Sequence, residues 1–552
     1  MLHAFLLKGS FQDSVTLMVL SRDLSALPDV SRVSAMMGTP ANKDVFRETG
    51  LWHDALQAAT PNDLCIVVDT ADGAVAAGAV DELKRRLAEL AKGRRGARYP
   101  TARSWRRART LAPEANLALI SIAGHYAFEP AKQALEDGCH VMMFSDNVSV
   151  EQEVALKALG RARGLLVMGP DCGTAIVGKA PLAFANRIPP GTIAVVGASG
   201  TGIQELTSQI ARLGGGITHA LGLGGRDLSA RVGGISALLA LDMVKADPAS
   251  RVVAFVSKPP AEAVKLRVVA ALKALGKPVV ALFLGERPAR RHDGNVHYAL
   301  TLDEAAALAV ELANVDAQAA GWPDVAGKGI CGLYTGGTLA AEAALLLAET
   351  LGLAPDATHA EGFMLKSGGH RIVDLGDDVY TRGRPHPMID PSLRNEMIAG
   401  LADDPSFGVL LVDVVLGFGA HKDPAGEVAR SVTALRAARN GRAPIVVVAT
   451  LTGTADDPQD RASQAAKLEE AGIVIAESTR AAVTLAAHVV APRQPAAGEA
   501  PALLAAMPSV INVGLRGFAD DLQANGVRVV QLQWEPSAGG DERMQRLVAR
   551  LQ

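Results

Sequence analysis

Two turns in the chain have the composition of anion sites. Val196-Gly-Ala-Ser-Gly-Thr-Gly202 and Leu333-Tyr-Thr-Gly-Gly-Thr-Leu339 each end a short apolar run and open a stretch of helical composition. At such a turn the first N–H groups of the helix are free, and the macrodipole places partial positive charge beside them. Ser199, Gly200, Thr201 and Gly202 in the first turn, and Thr335, Gly336, Gly337 and Thr338 in the second, are the candidate phosphate ligands. A tight strand-to-helix turn without a ligand has the same composition. Neither turn carries the Gly-x-x-x-x-Gly-Lys-Ser/Thr pattern, so neither is an ATP-hydrolysing P-loop.

The densest polar constellation is Arg382-Gly-Arg-Pro-His-Pro-Met-Ile-Asp-Pro-Ser-Leu-Arg394. Prolines on both sides of His386 stiffen the loop, and Arg382, Arg384 and Arg394 have the fork geometry that grips carboxylate or phosphate. Asp390 either orients His386 as an acid or base or caps the helix expected from Pro391. Glu205, in the first turns of the helix after Gly202, either orients a neighbouring group or complements the helix dipole. Gly124 and His125, and Asp171 and Cys172 within Gly169-Pro-Asp-Cys-Gly-Thr174, follow expected strands, where open α/β sheets bind ligands. His292 and His297 read as surface histidines beside an arginine cluster.

These residues are held by alternating apolar runs and amphipathic stretches, the pattern of parallel α/β layers. Residues 1–95 form a small N-terminal α/β domain, 112–190 a Rossmann-like sheet, 191–313 a second unit, 329–490 a third, and 491–552 a C-terminal extension. The basic run 93–112 and the stretch 314–328 read as linkers. Apolar runs at 509–513 and 527–531 look like two last strands.

With Lys+Arg 55 against Asp+Glu 58, the chain lacks the basic excess of a nucleic-acid or membrane-surface binder. Only 4% of residues are aromatic, and 55 are glycine, as suits tightly turned layers. The 4 cysteines are too scattered for a disulfide framework or a zinc site, so no metal is expected. No run of about 18 apolar residues occurs. The chain reads as soluble and cytoplasmic.

The runs 194–205, 222–227 and 169–173 resemble the CoA-binding and first ligase domains of the succinyl-CoA synthetase α subunit, and 329–490 resembles the ligase domain of its β subunit. Over nearly the whole chain the sequence is similar to the FdrA family, through Gly9-Ser-Phe-Gln-Asp-Ser14, Met36-Met-Gly-Thr-Pro-Ala-Asn42, Met142-Met-Phe-Ser-Asp-Asn147, the 382–390 block and Ala538-Gly-Gly540. The resemblance implies a multidomain α/β fold: a Rossmann-like CoA-binding domain, two flavodoxin-like ligase domains and the small N-terminal domain. It makes 197–202 and 335–339 a shared phosphate cradle between facing helices, and makes the 124–125 and 171–172 surface a CoA site. In the synthetases a phosphorylated histidine sits in a glycine-rich loop. Here Leu284-Gly-Glu-Arg-Pro-Ala-Arg-Arg-His292 replaces it, and nothing resembles an ATP-grasp domain.

Two departures therefore argue against a self-sufficient ATP-dependent ligase. The family's association is with oxamate carbamoyltransferase in allantoin and purine breakdown, which implies carbamoyl phosphate or phosphate, oxamate or oxalurate, and partner subunits. The alternatives are an acyl-CoA synthetase taking CoA and a carboxylate, and a non-catalytic scaffold for partner enzymes. CoA is the one cofactor the resemblance admits, and a homo-oligomer is compatible with it.

Overall fold

The computed structural model describes all residues except 11, 13, 94–98, 320, 354–361, 442, 492–498 and 536–552. The block Ala538–Gly540 and part of the basic run at 93–112 therefore lie outside the described residues.

Four sheets organise the chain. The first is antiparallel, with Leu2–Leu7 and Arg32–Met37 on either side of Leu64–Asp69. Its strands carry apolar residues on both faces because helices Ser14–Ser25 and Gly73–Gly93 cover one side, while Phe46, Leu51 and Leu56 cover the other.

The Rossmann-like sheet is parallel throughout. Leu117–Ile120 sits at its centre, with His140–Met143 and Val167–Met168 to one side. On the other side lie Val510–Val513, Val529–Leu532 and Thr101–Ala102. This corrects two boundaries read from sequence. Residues 510–532 are not an extension beyond 491: they supply two strands to the sheet assigned to 112–190. Likewise 101–111 is no linker, since its short strand and the helix Trp105–Leu111 bury Trp105 in the same core. Apolar runs reveal strands, but not which sheet will accept them. Ser149 shows how locally the helices are specified: it caps Val150–Ala162 in a capping box with Gln152.

The third sheet runs, in spatial order, through His292–Asp293, Val296–Tyr298, Val279–Phe283, Val252–Ser257, Pro190–Gly197 and Ile217–Gly222. Thr174–Val177 and Ala180–Ala183, read from sequence as part of the 112–190 unit, complete it through antiparallel pairing. The fourth sheet has Gly329–Tyr334 between His370–Asp374 and Phe407–Val415, continued by Val446–Thr452 and Val474–Ala476, with Phe363–Ser367 at its edge. The expected linker at 314–328 begins inside the helix Leu302–Ala319, which buries Val315 and Ala319. That helix packs on helix Gly200–Arg212 of the third sheet and on helix Thr479–Val490 of the fourth.

The Rossmann-like and third sheets are joined by a buried ionic cluster. Lys157 donates to Glu153 and to Asp227, each at 2.8 Å, and to the Leu223 carbonyl at 3.0 Å. Arg226 reaches Glu153 at 2.9 Å, and Asp227 also accepts the N–H groups of Ser236 and Ala237. The side chains of Lys157, Glu153 and Asp227 are all 0% exposed.

Among the described residues, no helix is long and apolar enough to cross a membrane.

Candidate functional site

In the third sheet, Pro190–Gly197 is flanked by Ile217–Gly222 on one side and Val252–Ser257 on the other. The chain order reverses there, so the carboxyl end of this strand is a topological switch point, the place where such sheets bind ligands. The turn 198–202 lies at that point. Ser199 spends its hydroxyl on the Gly202 N–H, which leaves the Gly200 and Thr201 N–H groups without a hydrogen-bond acceptor among the described residues, at the start of a 13-residue helix.

Other loops converge on the same place. A cavity of about 120 Å³ opens beside the turn, lined by Ala198, Gly225, Leu228, Ser229, Lys258, Pro259 and Ala261. Gly173 and Thr174 sit against Gly200, while Asp171 sits against Gly225. Asp171 in turn donates its N–H to the Ser145 carbonyl, and Gly124 abuts the backbone of Asp146. A continuous belt therefore runs from Gly124 and His125, across the carboxyl ends of the Rossmann-like strands, to the cavity at Lys258. Burial lowers the pKa of His125, which favours the neutral imidazole. A Cβ at Gly124 would lie 1.8 Å from the Asp146 carbonyl oxygen. Gly124→Ala is therefore expected to cost about 1–3 kcal/mol of stability by overpacking, read as a lower denaturant midpoint.

Lys258 and Ser229 escaped the sequence reading. The available signal was position: Lys258 directly follows the buried strand Val252–Ser257, at the ligand-binding end of the sheet.

Two of the sequence assignments near this site are corrected. Glu205 faces solvent and pairs with Gln209 and Arg212 of its own helix, which hold its carboxyl below the usual range. Both of these partners lie on its own helix. Cys172 is fully buried against Gly222, and burial pushes its thiol up to about 12, so its side chain is part of the core. The other three cysteines are buried as well.

The second glycine turn is a different object. It too lies at a switch point, after Gly329–Tyr334, but a carboxylate of the chain already fills it. Asp413 accepts the Thr335 N–H at 2.7 Å, the Thr335 hydroxyl at 3.0 Å and the Gly336 N–H at 2.7 Å. Arg394, expected to grip substrate, is instead buried and donates to the Asp413 carbonyl at 2.6 Å. Burial pushes Asp413 up, while Arg394 and the Thr335 and Gly336 donors pull it back. Asp374 stands on the other flank, with an oxygen 2.6 Å from where a Gly337 Cβ would be. Burial, then Asp377 and Asp413, raise its pKa.

An added phosphate would meet two carboxylates at this turn. The two glycine helices also do not face each other across one anion. Helix Gly200–Arg212 packs on Leu302–Ala319, that helix on Thr479–Val490, and that one on Gly337–Leu351, so two helices intervene.

Around Gly376 the fourth sheet brings together what the sequence reading kept apart. A Cβ there would lie 2.9 Å from His386 Nε2, 3.1 Å from Asp374 Oδ1 and 3.3 Å from the Thr335 carbonyl. His386 Nδ1 accepts the Met388 N–H at 3.3 Å, which leaves Nε2 as the proton-bearing nitrogen. Its neighbouring carboxylate is Asp374. Asp390 instead holds the Ser392 N–H at 3.0 Å and the Ser392 hydroxyl, serving as a turn residue at the helix Ser392–Gly400. Arg382 and Arg384 are exposed at the rim, with Arg384 3.8 Å from Glu396. His292 and His297 are not surface histidines: they pack ring against ring at 4.2 Å, and burial drives His297 down to about 3.

The folds and turns above define a class: an α/β ligase-type scaffold with a CoA-binding unit and a CoA-ligase unit in one chain. Residues 189–285 match the family model for a CoA binding domain, and 333–489 that for CoA-ligase. The CoA-binding match thus falls on the third sheet, not on the 112–190 sheet where that domain was expected. Residues 1–102 match the domain described as AllF, heavy metal-associated domain. The uncharacterized protein YahF of Escherichia coli (strain K12) is 39% identical over 495 residues, spanning 85% of this chain and 95% of that one.

The chain belongs to the FdrA-type family of succinyl-CoA-synthetase-like fusion proteins, with YahF as a relative. Among solved structures, the apo dinucleotide-forming acetyl-coenzyme A synthetase 1 of Ca. Korarchaeum cryptofilum overlaps 71% of this chain and 84% of its own, at 14% identity and a TM-score of 0.41. PH0766 from Pyrococcus horikoshii OT3 overlaps 68% and 83%, at 14% identity and a TM-score of 0.36.

The name of the N-terminal domain raises the question of a heavy metal. Its one cysteine, Cys65, is 0% exposed, and burial pushes the thiol up to about 11, so it offers no ready thiolate. Among the described residues no group of three or more His, Cys, Asp or Glu is placed to hold a metal ion. The residues of this unit do not fit one.

Proposed function

We propose that the chain is the acyl-transferring component of an acid–thiol ligase. CoA lies along the belt from Gly124 and His125 past Asp171, and an acyl phosphate sets its phosphate on the 198–202 turn beside Lys258. The CoA thiolate attacks the acyl carbon, the bond from that carbon to the phosphate oxygen breaks, and inorganic phosphate departs. The Gly200 and Thr201 N–H groups and the Lys258 ammonium are aimed where the charge of the leaving phosphate develops. What supports this reading is the meeting of the 198–202 and 224–229 loops with Lys258 at one cavity at a switch point, within the residues that match a CoA binding domain, with the 169–174 loop packed beside them. With no ATP-grasp-like stretch in the sequence, activation of the carboxylate by nucleotide falls to a partner subunit.

A second reading is favoured by the AllF match of residues 1–102: carbamoyl transfer between carbamoyl phosphate and oxamate. Carbamoyl phosphate is also a mixed anhydride of phosphate, so it uses the same turn and Lys258 but needs no CoA. His386 and Arg382 and Arg384 would then serve the second substrate.

Calorimetric titration of the full chain separates the two. The expected result is CoA binding together with acetyl phosphate binding that inorganic phosphate displaces. Lys258→Glu should weaken acetyl phosphate roughly tenfold or more, since it replaces attraction by repulsion at a charge-assisted contact. Carbamoyl phosphate binding with CoA silent selects the second reading. Silence toward all three ligands would sink both.

A further inference from the structure

The cavity beside the 198–202 turn has a mixed lining: two polar side chains, Lys258 and Ser229, against Ala198, Leu228, Pro259 and Ala261. Its apolar part is fixed before any ligand arrives. Leu228 is 5% exposed and packs in the core with Val264 and Val268. Ala261 donates its N–H to the Leu228 carbonyl at 3.0 Å, which ties the segment after Lys258 to the 224–229 loop. That loop is anchored in turn through Asp227, which accepts the Ser236 and Ala237 N–H groups and the Lys157 ammonium.

Volume and charge then limit the guest. The cavity measures about 120 Å³, and one of roughly 150 Å³ takes up benzene, so about five heavy atoms fit here. Among its lining residues Lys258 is the sole cation. With that ammonium on the phosphate, a second negative charge inside would be desolvated without a partner. Ser229 is the remaining polar group. Its hydroxyl accepts the Val232 N–H at 3.3 Å. Its own O–H proton has no acceptor among the described residues and stays available to a ligand.

We propose that this cavity holds the acyl group of the acyl phosphate and admits short, uncharged ones, with Ser229 donating to the acyl oxygen. This rests on the phosphate site proposed above at Lys258 and the 198–202 turn. When the CoA thiolate adds to the acyl carbon, the carbonyl π pair moves onto oxygen, where the Ser229 O–H bonds to it. The pair then re-forms the carbonyl, and the carbon–oxygen bond to phosphate breaks with its electrons on phosphate. The proton first carried by the thiol ends on that phosphate, and Ser229 keeps its own. Leu228, Pro259 and Ala261 set the chain length, and a succinyl group is excluded by its second carboxylate.

Arsenate takes the place of phosphate in the reverse reaction, giving an acyl arsenate that hydrolyses and leaves free CoA thiol to be measured. With the full chain, arsenate should release thiol from acetyl-, propionyl- and butyryl-CoA. Hexanoyl- and succinyl-CoA should react roughly 100-fold more slowly in kcat/KM, since one misfitted methylene already costs roughly tenfold. Leu228→Ala should raise the hexanoyl-to-acetyl ratio roughly tenfold, and Ala261→Leu should lower the butyryl-to-acetyl ratio by as much. Ratios within one variant do not depend on the fraction folded. Ser229→Ala should lower kcat for acetyl-CoA roughly 100-fold and leave the affinity for inorganic phosphate unchanged. Thiol release with a flat chain-length profile, or ratios that neither variant shifts, overturns this inference and leaves the acid–thiol ligase reading standing. An unchanged kcat in Ser229→Ala removes Ser229 from the reaction. No release from any acyl-CoA overturns the reading and the inference together.

Discussion

Replacing Lys157 by methionine is expected to destabilise the protein by about 3–5 kcal/mol, the usual cost of breaking a buried ion pair from one side. Among the described residues Lys157 is the only cation fully enclosed with Glu153 and Asp227, and both carboxylates are 0% exposed. Arg226 still holds Glu153, but its own side chain is 42% exposed and cannot reach into the Lys157 position without desolvation. Asp227 keeps the Ser236 and Ala237 N–H groups, so it has partners but no neutralising charge. The double variant Lys157→Met with Glu153→Gln should therefore lose less than the two single changes added together. Chemical denaturation of the three variants measures this. A loss below about 1 kcal/mol for Lys157→Met would mean that water or a rotated Arg226 compensates, and that the cluster does not lock the two sheets. The functional consequence follows from place. Helix Val150–Ala162 belongs to the Rossmann-like sheet and Asp227 to the loop that lines the Lys258 cavity, so loosening this joint breaks the belt proposed for CoA.

The second large effect is expected at Asp413. Asp413→Ala strips the partner from the Thr335 and Gly336 N–H groups and the Thr335 hydroxyl, and removes the carboxylate 3.4 Å from the buried Arg394, whose hydrogen bond to the Asp413 backbone carbonyl remains. Leaving a buried charge and several donors unpaired should again cost about 3–5 kcal/mol. This variant carries a further signature. With the internal carboxylate gone, the turn regains free N–H donors next to a buried guanidinium, so inorganic phosphate should raise its melting temperature well beyond any shift seen in the parent protein. Equal phosphate stabilisation of both proteins would show that the turn is not the anion site Asp413 occupies. Asp413→Asn is the milder control, keeping one acceptor oxygen for the turn.

These cases show how far the residue order reaches. The glycine turns, the helices behind them and the apolar strands in front are legible because each is local: 3.6- and 2-residue periodicities and small residues at a turn act over one element. So the alternation of 191–313 and 329–490 was enough to expect parallel sheets ending in helix N-termini. The partners of those turns are not local. Thr335 and Asp413 are 78 positions apart, and nothing near either one announces that a carboxylate rather than a ligand fills the second turn. Arg394 reads from sequence as a substrate-gripping arginine in a polar motif, yet the packing of helix Ser392–Gly400 buries it against Asp413.

The residue order by itself determined the class of the protein: layered α/β units with glycine turns leading from strand ends into helices. Tertiary structure alone decided that Asp413 fills the second glycine turn, that the Asp374 carboxylate and not that of Asp390 stands beside the His386 ring, and that residues 510–532 complete a sheet begun near 117. The physical reason is common to all three. Pairing across a sheet and neutralisation of a buried charge depend on which residues approach through space. Loop closure over hundreds of residues costs little more entropy than over tens, so sequence distance imposes almost no constraint on those meetings.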